Sequence, residues 1–517
     1  MRQNRLLVVA LLMLVTLFVG CGKSDTVITT LDDARDAKIG VMTGTTGEAL
    51  AVARFPQAKI QRFDDVMDAV AALKAGQLDA IVTLSTTAIQ VSKKNQELWS
   101  LPESLKDEET CAVARKGDDA LLAKINAIIG ELKADGALKE MKMRWLKSDL
   151  SPYEERTIEL SSVGDPLKVG VCATREPISF VDKHGRVTGF DGELARLLGA
   201  GLNRPVEFYN MKFMALIPAL KSGKIDVIVS GMSATPERRK SVNFSQPYFV
   251  NPQVMLVKKA RHAAAGSGGD GNGGVSLFLK GLASSFQSNL IQENRYLLIL
   301  DGLKTTLLIS VLSTIFGTLL GGVVCFMRMS QSLLLNMPAK LYISLLRGTP
   351  VLVFLMLIFY VVFASVNIDP VLVAVVAFGM NFAAYVAEIF RSGVESIDKG
   401  QSEAGIAMGF SKVKTFLYIV LPQTVQRILP VYKGEFISLV KMTSIVGYIA
   451  VQDLTKASDI IRSRTFDAFF PLVMVAMLYF LLSWLLMQFI SALERMTDPK
   501  YKKRRFALRS SPEKACL

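Results

Sequence analysis

Between residues 32 and 259 charged and apolar positions mix at the periods of soluble helices and strands, whereas beyond residue 301 long uncharged runs take over. The front therefore reads as a soluble α/β segment and the back as membrane-embedded helices. Within the front one pattern occurs twice. Ala72-Leu73-Lys74-Ala75-Gly76-Gln77-Leu78-Asp79-Ala80-Ile81-Val82 returns as Ala219-Leu220-Lys221-Ser222-Gly223-Lys224-Ile225-Asp226-Val227-Ile228-Val229. Each copy predicts an amphipathic helix, a glycine stop and a buried strand. Upstream of each lies a further short apolar strand, Lys38-Ile39-Gly40-Val41 and Lys168-Val169-Gly170-Val171. Strand, helix, strand builds parallel sheet, so the front is expected to form two α/β lobes hinged as a clamp around a ligand.

The back carries uncharged runs over residues 305–327, 348–368, 370–387 and 468–493. Most reach the roughly 20 residues that a helix needs to cross a bilayer. A fifth, weaker segment over 428–451 includes Lys433, Glu435 and Lys441, charges that must face a pathway or a partner rather than lipid. Between the two halves, residues 263–274 are rich in Gly, Ala, Ser and Asn and predict a flexible linker. The expected order is an export segment (1–21), second lobe with closing helices (30–150), first lobe (160–259), linker (260–285), membrane bundle (290–497) and basic tail (498–517).

Composition changes this picture little, but charge placement orients it. Half of the 517 residues are hydrophobic, and the formal charge is +14. Much of the excess sits in Lys500, Lys502, Lys503, Arg504, Arg505 and Arg509, directly behind an apolar run. Basic residues there mark the cytoplasmic side of a span rather than a nucleic-acid site. With an exported N-terminus, five crossings put the C-terminus inside, and Arg328, Lys340, Arg347, Lys399, Lys412 and Lys414 fall on the same side. Arg2 and Arg5 before the apolar run 6–19 fit an export signal, and Gly20-Cys21 resembles the end of a bacterial lipoprotein signal with Phe18 where leucine is usual. An uncleaved anchor helix is the alternative. The five cysteines show no metal spacing; Cys111 and Cys172 both lie in the exported part, where a disulfide is chemically permitted. His184 and His262, the only histidines, have no triad or metal setting, so catalysis on this chain is not expected.

The second α/β copy is embedded in a specific series: Gly189-Phe190-Asp191, Leu216-Ile217-Pro218-Ala219-Leu220, Ser230-Gly231-Met232-Ser233-Ala234-Thr235-Pro236-Glu237-Arg238-Arg239 and Phe244-Ser245-Gln246-Pro247-Tyr248. This series resembles the first lobe of periplasmic polar-amino-acid-binding proteins, and Gly44-Thr45-Thr46-Gly47-Glu48 resembles the start of their second lobe. The lobes stand here in reversed order, which reads as a circular permutation; two binding domains that each lost half are the alternative. The resemblance implies that Arg238 holds a ligand carboxylate, a task for which the paired donors of a guanidinium are suited. It further implies help from Ser233, Ser230 and Gly231, stacking by Phe213, and hydrogen bonds from Thr45 and Thr46. Two positions depart from the pattern: Leu84 replaces the aspartate that pairs with the ligand ammonium, and Arg175 replaces an aromatic residue.

In the back, Glu403-Ala404-Gly405, Gly409, Ile419 and Leu421-Pro422 occur between the third and fourth runs. They resemble the EAA loop of binding-protein-dependent ABC permeases, with Gly405 where the last alanine is usual. Arg347-Gly348-Thr349-Pro350, Glu388-Ile389-Phe390-Arg391-Ser392-Gly393 and Lys441-Met442-Thr443-Ser444 extend that resemblance to the polar-amino-acid branch. It implies a multi-pass protein of the bacterial inner membrane, with its binding domain outside and C-terminus in the cytoplasm. Its loop would form two short helices docked on a separate ATP-binding subunit that carries ATP and Mg. A second copy of the permease, in a homodimer, would complete the pathway. No Walker A motif is present in the chain. The fold class is thus an α/β two-lobed clamp followed by an all-α bundle of about five helices, and the function an ABC importer for polar amino acids or related small carboxylates. A ligand-gated channel or a ligand sensor built from the same parts are the rivals.

Overall fold

A computed structural model describes residues 28–147, 155–259, 281, 283–364, 366 and 368–497. The export segment with Cys21, the glycine-rich stretch 263–274 and the basic tail lie outside the described residues. The chain divides into two compact units, residues 1–108 with 251–267, and residues 109–250 with 268–517.

The first unit contains β1 (Lys38–Met42), α1 (Thr46–Arg54), β2 (Lys59–Phe63), α2 (Val66–Lys74), β3 (Ala80–Leu84), α3 (Ser85–Lys94) and β4 (Leu98–Lys106). Its sheet runs β2-β1-β3-β12-β4, where β12 is Gln253–Lys258. Strand β1 is parallel to β2 and β3, while β12 inserts antiparallel between β3 and β4. Ile39, Val41, Ala80, Val82, Met255 and Val257 form the buried centre.

The second unit opens with β5 (Glu109–Arg115), α4 (Asp119–Ala134) and α5 (Ala137–Lys142). It continues with β6 (Leu167–Val171), β7 (Phe180–Val181), β8 (Val187–Thr188), α6 (Phe190–Gly201), β9 (Val206–Asn210), α7 (Leu216–Lys221), β10 (Val227–Ser233), α8 (Pro236–Arg239) and β11 (Val242–Val250). Its sheet runs β11-β5-β10-β6-β9, with β6 parallel to β9 and β10 and with β5 antiparallel.

The sequence repeat is a structural repeat. Gly76 and Gly223 end their helices at φ +73° and +76°, a conformation that L side chains resist. Asp79 accepts the Lys38 N–H at 2.8 Å, and Asp226 accepts the Lys168 N–H at 3.1 Å. Gly40 and Gly170 occupy matching places, where a Cβ would strike Leu78 at 2.5 Å and Ile225 at 2.3 Å.

One expected boundary shifts. The segment 160–259 was expected as one lobe, yet β12 completes the sheet of the first unit, and β5 completes that of the second. Each crossing of the chain supplies an antiparallel strand to the sheet it enters, so the boundaries fall at 108/109 and 250/251. The permitted disulfide is also absent: Cys111 and Cys172 are buried free thiols. Strand β10 lies between β5, which holds Cys111, and β6, which Cys172 follows. Two strand spacings, about 9–10 Å, exceed the roughly 7 Å that a disulfide spans between Cα atoms.

The helical part comprises α9 (Tyr296–Met329), α10 (Leu333–Gly348), α11 (Val351–Leu357), α12 (Pro370–Glu395), α13 (Lys399–Ala407), α14 (Lys412–Thr415), α15 (Leu421–Met442), α16 (Leu454–Thr465) and α17 (Phe470–Thr497). Among the described residues three helices are long and apolar enough to cross a membrane, or up to five spans if each bent pair counts as one. The run 348–368, expected as one span, is a helix only over Val351–Val362, and α10 meets that helix at a bend of 110°. Pro350 forces Thr349 into extended backbone (φ −104°, ψ 131°), so the helix cannot pass through it. Helices α9 and α12 approach closely through small residues: a Cβ on Gly317 would lie 2.6 Å from the Gly379 carbonyl, and one on Gly321 would lie 2.9 Å from Val386.

Candidate functional site

Strand β10 carries a bulge against β5 between Ile228 and Met232, where Gly231 takes φ +54°, and pairs with β5 again at Met232 and Ser233. Ser230 is fully buried, and its hydroxyl accepts the Cys172 N–H at 2.9 Å. Beyond Ser233, Thr235 caps α8 by accepting the Arg238 N–H at 3.2 Å. Arg238 thus leaves the first turn with a defined direction. Its Nη1 donates to the Ser233 carbonyl at 2.8 Å, and its guanidinium lies 5.5 Å from the centre of the Phe213 ring. The ring is buried, set by the turn Phe213–Ala215 ahead of α7. Arg238 is half-buried, whereas Arg239 and Lys240 are exposed.

The structure therefore brings Arg238, Ser233, Ser230, Gly231 and Phe213 together in one unit. Arg175 joins them, donating from Nη2 to the Ser230 carbonyl at 2.6 Å. Beneath lies Asp191, fully buried, which accepts the Tyr248 hydroxyl at 2.8 Å. Burial pushes the Asp191 carboxyl up to about 6, against the hydrogen bond and the field of Arg175.

Thr45 and Thr46 belong to the other unit, and their hydroxyls are engaged differently from the expectation. Thr45 is the N-cap of α1; its hydroxyl donates to the Met42 carbonyl at 2.7 Å and accepts the Glu48 N–H at 3.4 Å. Thr46 donates to the Glu108 carboxylate, which also accepts from the Gln253 amide. Outward donation from the Thr45 hydroxyl would cost its bond to the Met42 carbonyl, while the oxygen still accepts the Glu48 N–H. Leu84 ends β3 and supplies no carboxylate. Glu108, buried at the point where the chain leaves this unit, is the carboxylate that the fold places beside Thr46. Its only signal in the sequence was a charge beside a crossing strand.

In the helical part, Asp398 caps α13, which holds Glu403, Ala404 and Gly405. Gly409 follows at φ +86°, Phe410 N–H bonds back to the Gly405 carbonyl at 3.1 Å, and Ser411 caps α14. Gly405 packs where a Cβ would lie 2.6 Å from Thr415 Cγ2 and 2.8 Å from Ile419 Cδ1. This close approach explains why glycine stands there: the two helices press together. Pro422 sits where the π-helical turn Phe416–Val420 passes into α15, inside one helical run over Lys412–Ile449. Glu403 and Ala404 are exposed, as are the apolar Ile406, Met408, Val413 and Phe416. Farther along, Glu435 lines a cavity of about 560 Å³ with Arg347, Glu388, Arg391 and Arg427. A charge of the weak fifth segment thus faces a polar space, as its place in an apolar bundle requires.

The α/β lobe of the second unit also contacts its helices. Lys212, next to Phe213, pairs with Asp459 of α16 at 2.7 Å, and its N–H donates to the Gly447 carbonyl at 3.2 Å. Lys224 donates to the carbonyls of Phe363 and Val366.

Residues 167–463 match the bacterial extracellular solute-binding proteins, family 3. The chain is 35% identical over 204 residues to the probable amino-acid ABC transporter permease YckA of Bacillus subtilis, covering 39% of this chain and 88% of that protein. The L-cystine transport system permease TcyB of the same organism is 34% identical over 219 residues, covering 42% of this chain and 94% of its own length. The glutamine transport system permease GlnP of Escherichia coli is 36% identical over 201 residues, covering 38% and 92%.

Proposed function

The chain belongs to the bacterial extracellular solute-binding proteins, family 3, and from that premise we propose that it is the combined solute-binding and permease subunit of an ABC importer for polar amino acids or related small carboxylates. The observation that carries this reading is the union, in one polypeptide, of the arginine-bearing α/β site with a bundle similar to amino-acid permeases along most of their length. Arg238 binds the ligand carboxylate, with Phe213 beneath it and Ser233, Ser230 and Gly231 around it. The fused order of the lobes is one circularly permuted domain, since β5 and β12 each complete a sheet begun by the other part of the chain.

Energy comes from a separate ATP-binding subunit that brings ATP and Mg. Its seat is the elbow of α13 and α14, whose exposed apolar side chains favour a protein neighbour over water. A second copy of the chain forms the other half of the pathway. The protein lies in the bacterial inner membrane, with the α/β units outside and the basic tail inside. Ligand binding biases the complex toward the state that the permease prefers, and this differential affinity couples binding to transport.

The test is reconstitution of the full chain with its ATP-binding partner in liposomes. Amino-acid-stimulated ATP hydrolysis and uptake are expected, and Arg238→Ala abolishes both. Ligand binding without any uptake or hydrolysis would replace the importer with a sensor, and ion conductance without ATP would replace it with a channel.

A further inference from the structure

Two guanidinium groups, not one, stand on the Phe213 ring. Arg238 lies 5.5 Å from the ring centre and Arg175 lies 5.6 Å from it. Arg175 is 7% exposed, and its Nε is buried without a hydrogen-bond partner. Its Nη2 meets only Ser230, at the carbonyl (2.6 Å) and at the hydroxyl (3.5 Å). Among the described residues no carboxylate lies within ion-pairing distance of it. Asp191 feels its field, but that carboxyl takes its hydrogen bond from the Tyr248 hydroxyl and forms no ion pair with Arg175. The backbone makes room for this arginine: a Cβ on Gly231 would sit 3.1 Å from Arg175 Nη2.

A buried guanidinium with an unsatisfied donor is costly unless an anion completes it. Its fork of donors suits a carboxylate, and its charge repels a cationic ligand side chain. The Phe213 ring face stabilises both cations and holds them apart. We propose that this lobe selects small ligands carrying two carboxylates, one held by Arg238 and the second by Arg175. The proposal rests on the reading of this lobe as a solute-binding lobe and deepens it to a ligand class: acidic amino acids or plain dicarboxylates of similar length.

The experiment is calorimetric titration of the full chain in nanodiscs with L-glutamate, L-glutamine, glutarate and L-arginine. Glutamate is expected to bind at least about tenfold more tightly than glutamine, and arginine to give no heat. Glutarate against glutamate separates plain dicarboxylates from amino ones. Arg175→Gln brings the glutamate-to-glutamine ratio close to one while glutamine binding persists, and Arg175→Lys, which keeps the charge, retains most of the preference. Tighter binding of glutamine or arginine than of glutamate by the unaltered chain overturns the proposal, as does an unchanged ratio in Arg175→Gln. Should that variant fail to fold, the ranking by the unaltered chain and by Arg175→Lys decides. No heat from any probe also overturns it, but leaves the importer reading standing on its own transport assay. Failure of that reading has a different signature, namely unaltered binding in Arg238→Ala.

Discussion

Glu193 is the strongest single point at which the closing helices are tied to the lobe they complete. It is fully buried on α6, and its carboxylate accepts from Arg144 Nη1 at 2.8 Å, from Arg144 Nη2 at 2.9 Å and from Trp145 Nε1 at 2.7 Å. Trp145 is itself buried and packs edge-on to Phe180, with ring centres 6.2 Å apart. Glu193→Ala removes three bonds to a charged acceptor, each worth about 1.5–3 kcal/mol. Arg144 retains 20% exposure and recovers some hydration, so the sum overstates the loss. Breaking one side of a buried pair costs about 3–5 kcal/mol, which is the expected effect. Urea unfolding of the full chain in micelles, followed by Trp145 fluorescence in a Trp99→Phe, Trp484→Phe background, measures it. With a slope of about 2 kcal/mol per molar urea the midpoint falls by about 2 M. Glu193→Gln, which keeps an acceptor for Trp145, falls less. An unchanged midpoint in Glu193→Ala would mean that the segment with Arg144 and Trp145 does not close this lobe, and the permuted domain would be refuted with it.

Three further outcomes are expected. Gly405→Ala forces a Cβ to within 2.6 Å of Thr415 and costs about 1–3 kcal/mol by overpacking the elbow; coupled ATP hydrolysis falls, and adding Thr415→Ala restores it. Because burial raises the Asp191 carboxyl to about 6, its contribution to stability is complete below about pH 4 and is lost as pH rises to about 6; urea midpoints across that window show the slope, and Asp191→Asn flattens it. Exchanging the charges of Lys212 and Asp459 singly weakens the seating of the lobe on α16 and reduces uptake. The double exchange recovers about 0.5–3 kcal/mol of coupling in a double-mutant cycle, and simple additivity would dismiss the pair as a latch.

The pattern of apolar positions carried the two architectures and the repeated strand-helix-strand unit, because a helix stop such as Gly76 or Gly223 and an apolar run such as Ala80-Ile81-Val82 are dictated by local sterics and burial. Arg238, its neighbours and the elbow at Gly409 were singled out by motifs that resemble those of known families. What the chain order hid was the exchange of β5 and β12, since strand pairing joins residues more than a hundred positions apart and a strand's own composition does not say which sheet it completes. The end of the helix at Val362 was hidden inside an apolar run, 348–368, that hydropathy alone counts as one span. The pairing of Thr46 with Glu108, the unsatisfied Nε of Arg175 and the closeness of Lys212 to Asp459 are properties of packing. They exist only once the backbone has fixed which distant groups share one space, and that is decided by tertiary structure.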